Sequence, residues 1–149
     1  MTRDEYWMSL ALEEARKAFD NDEVPIGAVA VMDDELIATA HNLKESNQDA
    51  THHAELLLLQ ECAQKLGRWR LTDITVYATI EPCIMCMGAL SHARIKRLVY
   101  GARDEKFGAA HSLYQIGQDD RLNHQFEVEE GVLANEASQL MKQFFRQKR

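Results

Sequence analysis

Two short segments carry the residue types of a metal centre: His53-Ala54-Glu55 and Pro82-Cys83-Ile84-Met85-Cys86. One imidazole and two thiolates supply three N and S donors, the set that Zn2+ prefers in tetrahedral geometry. Three protein ligands leave a fourth position open for water, as in catalytic sites, whereas structural sites usually fill all four. The Cys-x-x-Cys spacing lets both sulfurs converge near a helix N-terminus, where the positive end of the helix dipole favours thiolate. Zinc held in this way lowers the pKa of its bound water to about 7, so hydroxide is available at neutral pH. Glu55 lies two residues beyond His53, poorly placed to share the zinc face of a helix. It can instead face the cleft and shuttle protons.

Two other readings compete. Cys83 and Cys86 could form a redox pair, or a closed structural site with Cys62 or His52 as fourth ligand. Cys62 falls on an apolar helix face with Leu59 and Leu66, which suits an inert core thiol. His52 reads as a solvated neighbour of the ligand. Three cysteines are an odd, low number for a disulfide framework, which leaves the Cys-x-x-Cys pair to metal or redox chemistry.

The elements that must position these residues follow from periodicity. Thr2 to Glu5 reads as a capping box, followed by a helix with Trp7, Leu10, Ala11, Ala15, Ala18 and Phe19 on one face. Ile26 to Met32 is a nearly all-apolar strand, as one covered on both faces would be. Asp33-Asp34-Glu35 is a turn, and Leu36 to His41 completes a hairpin. Asn42 to Ala50 reads as a loop. Thr51 can cap a helix from His52 to Leu66 that Gly67 terminates. Ile74 to Thr79 is a strand, and Pro82 suits the first turn of a helix running to about Ala93. Arg97 to Tyr100 and, more weakly, Phe126 to Val128 are strands. Asn135 to about Arg146 is the last helix, with Ala137, Leu140, Met141, Phe144 and Phe145 on one face. The alternation predicts an α/β fold, a three-layer α/β/α sandwich with a mixed sheet of about five strands, in one domain over residues 1–149.

The chain has 149 residues, 17 Lys and Arg, 24 Asp and Glu, and a net charge of -7. That balance argues against binding nucleic acid through bulk positive charge, but the charge is unevenly placed. Residues 1–61 carry net -10, residues 62–106 net +4, residues 107–133 net -4 and residues 134–149 net +3. No apolar run approaches the roughly 20 residues that span a bilayer. The N-terminal stretch is too acidic for a secretory signal or transit peptide. The chain is therefore expected to be cytoplasmic and free of the membrane.

The order H-x-E followed by P-C-x-x-C is the signature of the zinc nucleobase deaminases. The resemblance extends over nearly the whole chain to the bacterial tRNA-specific adenosine deaminases, of the cytidine deaminase-like superfamily. It is carried by Glu5 to Met8, Glu23 to Ala28, Asn42, Asp49 to Glu55, Glu81 to Cys86, Val99 to Asp104 and Phe144 to Arg146. Carried over by position, it implies His53, Cys83 and Cys86 as ligands of one zinc per subunit, Glu55 as proton shuttle and Asn42 as a hydrogen-bonding partner of the target nucleoside. It implies a tRNA anticodon stem-loop as partner, its wobble adenosine as substrate, inosine as product, and a homodimer whose two subunits both meet the RNA. On this reading hydroxide attacks C6 of adenine while Glu55 moves the protons. Ala50 stands where the family often has proline, and His52 adds a second imidazole beside the ligand. Phe107 and His111 occupy a loop where the family often has small residues.

Further substrate contacts are expected from Asp104, Phe144 and Arg146, each with a plainer alternative. Asp104 follows a strand end and could be a turn residue. Phe144 and Phe145 could both be core, since adjacent helix positions differ by about 100°, or one could stack on a splayed base. Lys142, Arg146, Lys148 and Arg149 also suit a helix C-terminus. A deaminase of free bases would not need this basic, aromatic helix, and a zinc domain that only binds RNA would give Glu55 no task. Reading a short loop requires only a local basic rim. The affinity for an anticodon stem-loop should therefore fall only moderately with salt, with a log-log slope of about -3 or shallower by titration at several ionic strengths.

Overall fold

The computed structural model describes residues 1–148; Arg149, counted above among the C-terminal cations, lies outside the described residues. The chain runs α1 (Arg3–Asp20), β1 (Gly27–Met32), β2 (Glu35–His41), α2 (Lys44–Asn47), α3 (Ala54–Leu66), β3 (Thr75–Ile80), α4 (Ile84–His92), β4 (Arg97–Ala102), a 3-10 turn (Ile116–Gln118), β5 (Glu127–Glu129) and α5 (Ala134–Gln147). The five strands form one mixed sheet in the order β2-β1-β3-β4-β5. β1 is antiparallel to both β2 and β3, whereas β3, β4 and β5 run parallel.

Alternation along the central strands separates two cores. Ala28 and Ala30 of β1, Val76 and Ala78 of β3, and Leu98 and Tyr100 of β4 face Leu58 and Cys62 of α3 and Met87 and Leu90 of α4. Val29, Val31, Tyr77 and Val99 face Trp7, Met8 and Ala11 of α1. Leu12 of α1, Ile80 and Ala137 of α5 continue that second layer. The expected three-layer α/β/α sandwich is therefore present, and the apolar runs in β1 and β4 are those of strands covered on both sides.

Local chemistry accounts for several boundaries. Thr2 Oγ1 accepts from the Glu5 amide at 3.1 Å while Glu5 Oε1 accepts from the Thr2 amide at 2.8 Å, so the capping box forms. Gly67 ends α3 with φ +66°, as a C-terminal glycine should. Asp4, in the first turn of α1, accepts from the Tyr77 hydroxyl at 2.7 Å and from both terminal nitrogens of Arg97. The Arg97 guanidinium holds the Asp4 carboxyl down to about 2, so this contact ties α1 to β3 and β4.

Three expectations give way. α3 begins at Ala54 with His53 as its N-cap, not with Thr51. The Thr51 hydroxyl and amide are both engaged by Asp49 Oδ1, at 2.6 and 2.8 Å, in a turn. α4 begins at Ile84 with Cys83 as N-cap, which leaves Pro82 outside the helix. The stretch expected as loop contains the short helix α2. Its first amides donate to Glu23, a residue 22 positions away from Glu45, so no local pattern announces it.

One glycine sets the packing of α1 on the sheet. A Cβ at Gly27 would stand 2.1 Å from the Ala11 carbonyl oxygen and 2.5 Å from the Ala15 amide nitrogen. The helix backbone can approach β1 only because that atom is missing. Gly27→Ala should lower the unfolding free energy by about 2 kcal/mol or more, measured by urea denaturation.

Candidate active site

The direction of the strands brings the two sequence segments together. β1 is antiparallel to both of its neighbours, so β2 and β3 run the same way. The chain leaves both at the same edge of the sheet, and each departure leads to a helix on the same face. α3 therefore starts beside α4, and their first residues meet although thirty positions separate them. This is the place, beyond the carboxyl ends of strands, where α/β sheets commonly build sites.

His53 and Cys83 are the N-caps of α3 and α4, in extended conformation, and neither side chain caps its own helix. Both are thus available to a ligand. Cys86 sits one turn into α4. The Cys83 and Cys86 sulfurs lie 3.6 and 3.5 Å from His53 Nδ1. All three donor atoms fall within 4.8 Å of one another. Three soft or borderline donors converging on one point suit Zn2+. The neighbouring side chains hold the site to three. Cys62 is fully buried in the core beneath α3, where burial pushes its thiol up to about 11. His52 turns to Asn47 at 2.9 Å and Asp49 at 3.1 Å.

The three donors share protons. Hydrogen bonding from Cys86, together with His53, draws the Cys83 thiol down to about 4. The Cys83 sulfur in turn raises His53, and Cys86 is pushed upward by its bond to Cys83 and by burial. A cation entering such a cluster displaces those protons, so its binding weakens with acid.

Glu55 is 3% exposed, and its Oε1 is buried with no hydrogen-bond partner. Burial pushes its carboxyl up to about 7. A carboxyl with such a value beside a metal-type cluster can take and return protons near neutral pH. Asn42, also buried, accepts from the Ala54 amide through Oδ1 at 2.8 Å. It supplies from twelve residues upstream the cap that His53 does not provide. This fixes its side chain at the first turn of α3, between the ligand and Glu55.

Two further buried carboxylates hold the loops around the site, and the motif reading assigned neither a task. Glu23 accepts from the Glu45 amide, the Ser46 amide and the Ser46 hydroxyl at 3.0, 2.5 and 2.6 Å. It pins the segment that follows Asn42. Glu81 accepts from the amides of Asp104, Ala110, His111 and Ser112 and from the Ser112 hydroxyl, at 2.5 to 3.0 Å. It pins the loop after β4 onto the segment bearing the cysteines. Gly108 pairs with Cys83 in an antiparallel bridge, and the Ala109 amide donates to the Pro82 carbonyl at 2.9 Å. A Cβ at Gly108 would meet the Glu81 carboxylate at 2.3 Å. The only sequence signal for Glu81 was its place directly before Pro82-Cys83.

The remaining expected site residues lie outside this cluster. Asp104 is a turn residue, with Oδ1 accepting from the Lys106 and Phe107 amides at 3.1 and 3.2 Å. Phe144 is 5% exposed and packs edge-on against Phe19 with centroids 5.8 Å apart. It lines a groove of about 480 Å³ together with Asn21, Asp22, Val24, Glu45, Ser46 and Lys148. The open ring is that of Phe145, at 46% exposure, and Arg146 beside it is exposed.

A three-layer sandwich with an imidazole and two thiols at adjacent helix starts, and a buried carboxyl beside them, defines a deaminase-type protein. The model of the MafB19-like deaminases matches residues 2–149. The chain belongs to this deaminase family. It is 49% identical over 144 residues to the tRNA-specific adenosine deaminase of Streptococcus pyogenes serotype M18 (strain MGAS8232), covering 97% of this chain and 91% of that one. It is 47% identical over 149 residues to the tRNA-specific adenosine deaminase of Bacillus subtilis (strain 168), covering 100% and 92%. A solved structure from work on A-to-I editing by tRNA:A34 deaminases at the wobble position superposes with a TM-score of 0.87 at 41% identity, covering 91% of this chain and 98% of that one.

The Glu81 tether makes the site loop acid-sensitive. Burial opposes ionisation of Glu81, but the bonds from Ser112, His111 and Asp104 outweigh it and hold the carboxyl below its ordinary 4.5. A lowered carboxyl contributes stability above the unfolded value and loses it as pH falls through the folded one. Amide-exchange protection at Ala110, His111 and Ser112 should therefore be constant above pH 4.5 and fall below it. Glu81→Gln should show weakened protection at neutral pH already.

Proposed function

We propose that this protein deaminates adenosine to inosine at the wobble position of a tRNA anticodon loop, with one zinc ion held by His53, Cys83 and Cys86. The observation that carries the reading is the burial of Glu55 with an unpartnered oxygen beside the three converging donors. The relatives' names supply the substrate class.

When bound, zinc supplies Lewis-acid activation of a water molecule. The chain's own residues do the rest. Glu55 takes a proton from the attacking water, delivers it to the adenine ring nitrogen and then carries one to the departing ammonia. Its raised affinity for protons suits both halves of that exchange. Asn42 orients the nucleoside through the amide group that its cap to Ala54 leaves free, and holds Glu55 in register by the same bond.

A loop base is already unpaired, so the few kcal/mol of extrusion from a duplex are not required. Phe145 and Arg146, open on the last turn of α5, offer a stacking face and a phosphate partner to the stem-loop, with Phe144 supporting the turn from beneath. Asp104 sets the rim of the pocket through its turn. Assembly as a cytoplasmic homodimer belongs to the same proposal. Sedimentation at micromolar concentration giving a 17.1 kDa monomer would overturn that part of it.

The decisive assay is inosine formation in an anticodon stem-loop. Glu55→Ala should keep one equivalent of zinc by elemental analysis and lose about 10^2- to 10^4-fold in rate. A zinc-loaded Glu55→Ala enzyme working at the native rate would show the proton-transfer assignment to be wrong.

A further inference from the structure

Phe107 is the most exposed large aromatic side chain among the described residues, at 67% exposure. A phenylalanine this open in a flexible tail would mean little. This one is held on a braced loop. Its amide donates to Asp104 Oδ1 at 3.2 Å, as does that of Lys106 at 3.1 Å. The next residue, Gly108, pairs with Cys83 and accepts from the Leu113 amide at 2.9 Å. Three residues on, Glu81 begins to take successive backbone amides from Ala110 to Ser112. The backbone that carries the ring is thus fixed with respect to a metal-type ligand.

On the other side of the same bridge, Ile84 follows Cys83 and is 56% exposed. Two exposed apolar side chains, Phe107 and Ile84, thus neighbour the Gly108–Cys83 bridge, with the charged Lys106 next to Phe107. These two side chains, each one residue from the bridge, are largely uncovered among the described residues. A nucleotide loop entering the site would meet them. Bases splayed from a loop expose both faces, and an aromatic ring recovers the stacking they lose. A ring fixed beforehand does so with little ordering cost.

We propose that Phe107 is a stacking platform for a nucleobase flanking the one that is deaminated, making it a specificity-determining residue for RNA over free nucleoside. The inference rests on the proposed function above. It assigns Phe107 to substrate binding and no part in the chemical step.

The test uses the zinc-loaded protein, an anticodon stem-loop, and two copies of that stem-loop carrying 2-aminopurine immediately 5′ or 3′ of the target adenosine. Phe107→Ala should raise KM for the stem-loop about ten-fold with kcat nearly unchanged. Zinc content and sedimentation should match the native protein. Phe107→Tyr should restore the native KM. Binding should quench one of the 2-aminopurine probes with the native protein and Phe107→Tyr, but not with Phe107→Ala. Native KM and native quenching in Phe107→Ala would overturn the proposal. So would a rise in KM accompanied by zinc loss or an altered association state, since the ring would then serve folding or subunit contact. If the native protein forms no inosine in the stem-loop, the functional reading itself fails. If native and Phe107→Ala proteins form it equally well, only the stacking assignment fails.

Discussion

The carboxylate of Glu81 accepts five hydrogen bonds from one loop while its own backbone leads directly into Pro82 and Cys83. A buried charge of this kind is costly unless its lone pairs are satisfied. Here four amides and a hydroxyl satisfy them, so the charge becomes the loop's organising centre. The amides have no helix or strand partners of their own and would be orphaned without it. Neither side can be changed alone: the loop needs the carboxylate, and the carboxylate needs the loop. Gly108 is part of the same constraint, because a side chain there would occupy the space of the carboxyl group.

Around that tether the site is assembled from backbone direction. Two parallel strands separated by an antiparallel one deliver two helix starts to one edge of the sheet. The N-cap position then does double service. It is the residue whose side chain is free of the helix surface, and it lies at the positive end of the dipole. His53 and Cys83 occupy it, and so do not cap their own helices. Asn42 supplies the missing acceptor for α3. The buried Glu55 follows one residue inside that helix, where low polarity raises its proton affinity.

The uneven charge of the chain fits this arrangement. The N-terminal third is strongly acidic, yet part of that acid is structural. Asp4 answers Arg97 and Tyr77, and Glu23 answers the first turn of α2. Arg97, in a net basic stretch, is itself committed to Asp4, Glu127 and Glu129. Net charge by segment therefore overstates what is free to meet a phosphate backbone. Exposed cations such as Lys106, Lys142 and Arg146 suit positioning a short loop more than gripping a long duplex.

The residues of the metal-type cluster were legible in the chain because ligand chemistry restricts residue type and spacing so tightly. The layers were legible because strands covered on both faces and helices covered on one leave different periodicities. The helix ends were read less well. Thr51 and Pro82 have the right local chemistry for helix starts, but the true caps are His53 and Cys83, with Asn42 bonding from a distance. Glu23 and Glu81 stood in segments that resemble the family but had no task assigned, since nothing in their neighbours reveals a buried set of amides 20 to 30 residues away. Phe144 and Phe145 are equivalent in the sequence, and only packing against Phe19 turns one inward. What the sequence determined by itself was local: donor types, periodicity and turn chemistry. What tertiary structure decided was which polar groups share a buried space, because burial and hydrogen-bond satisfaction depend on segments that no local pattern connects.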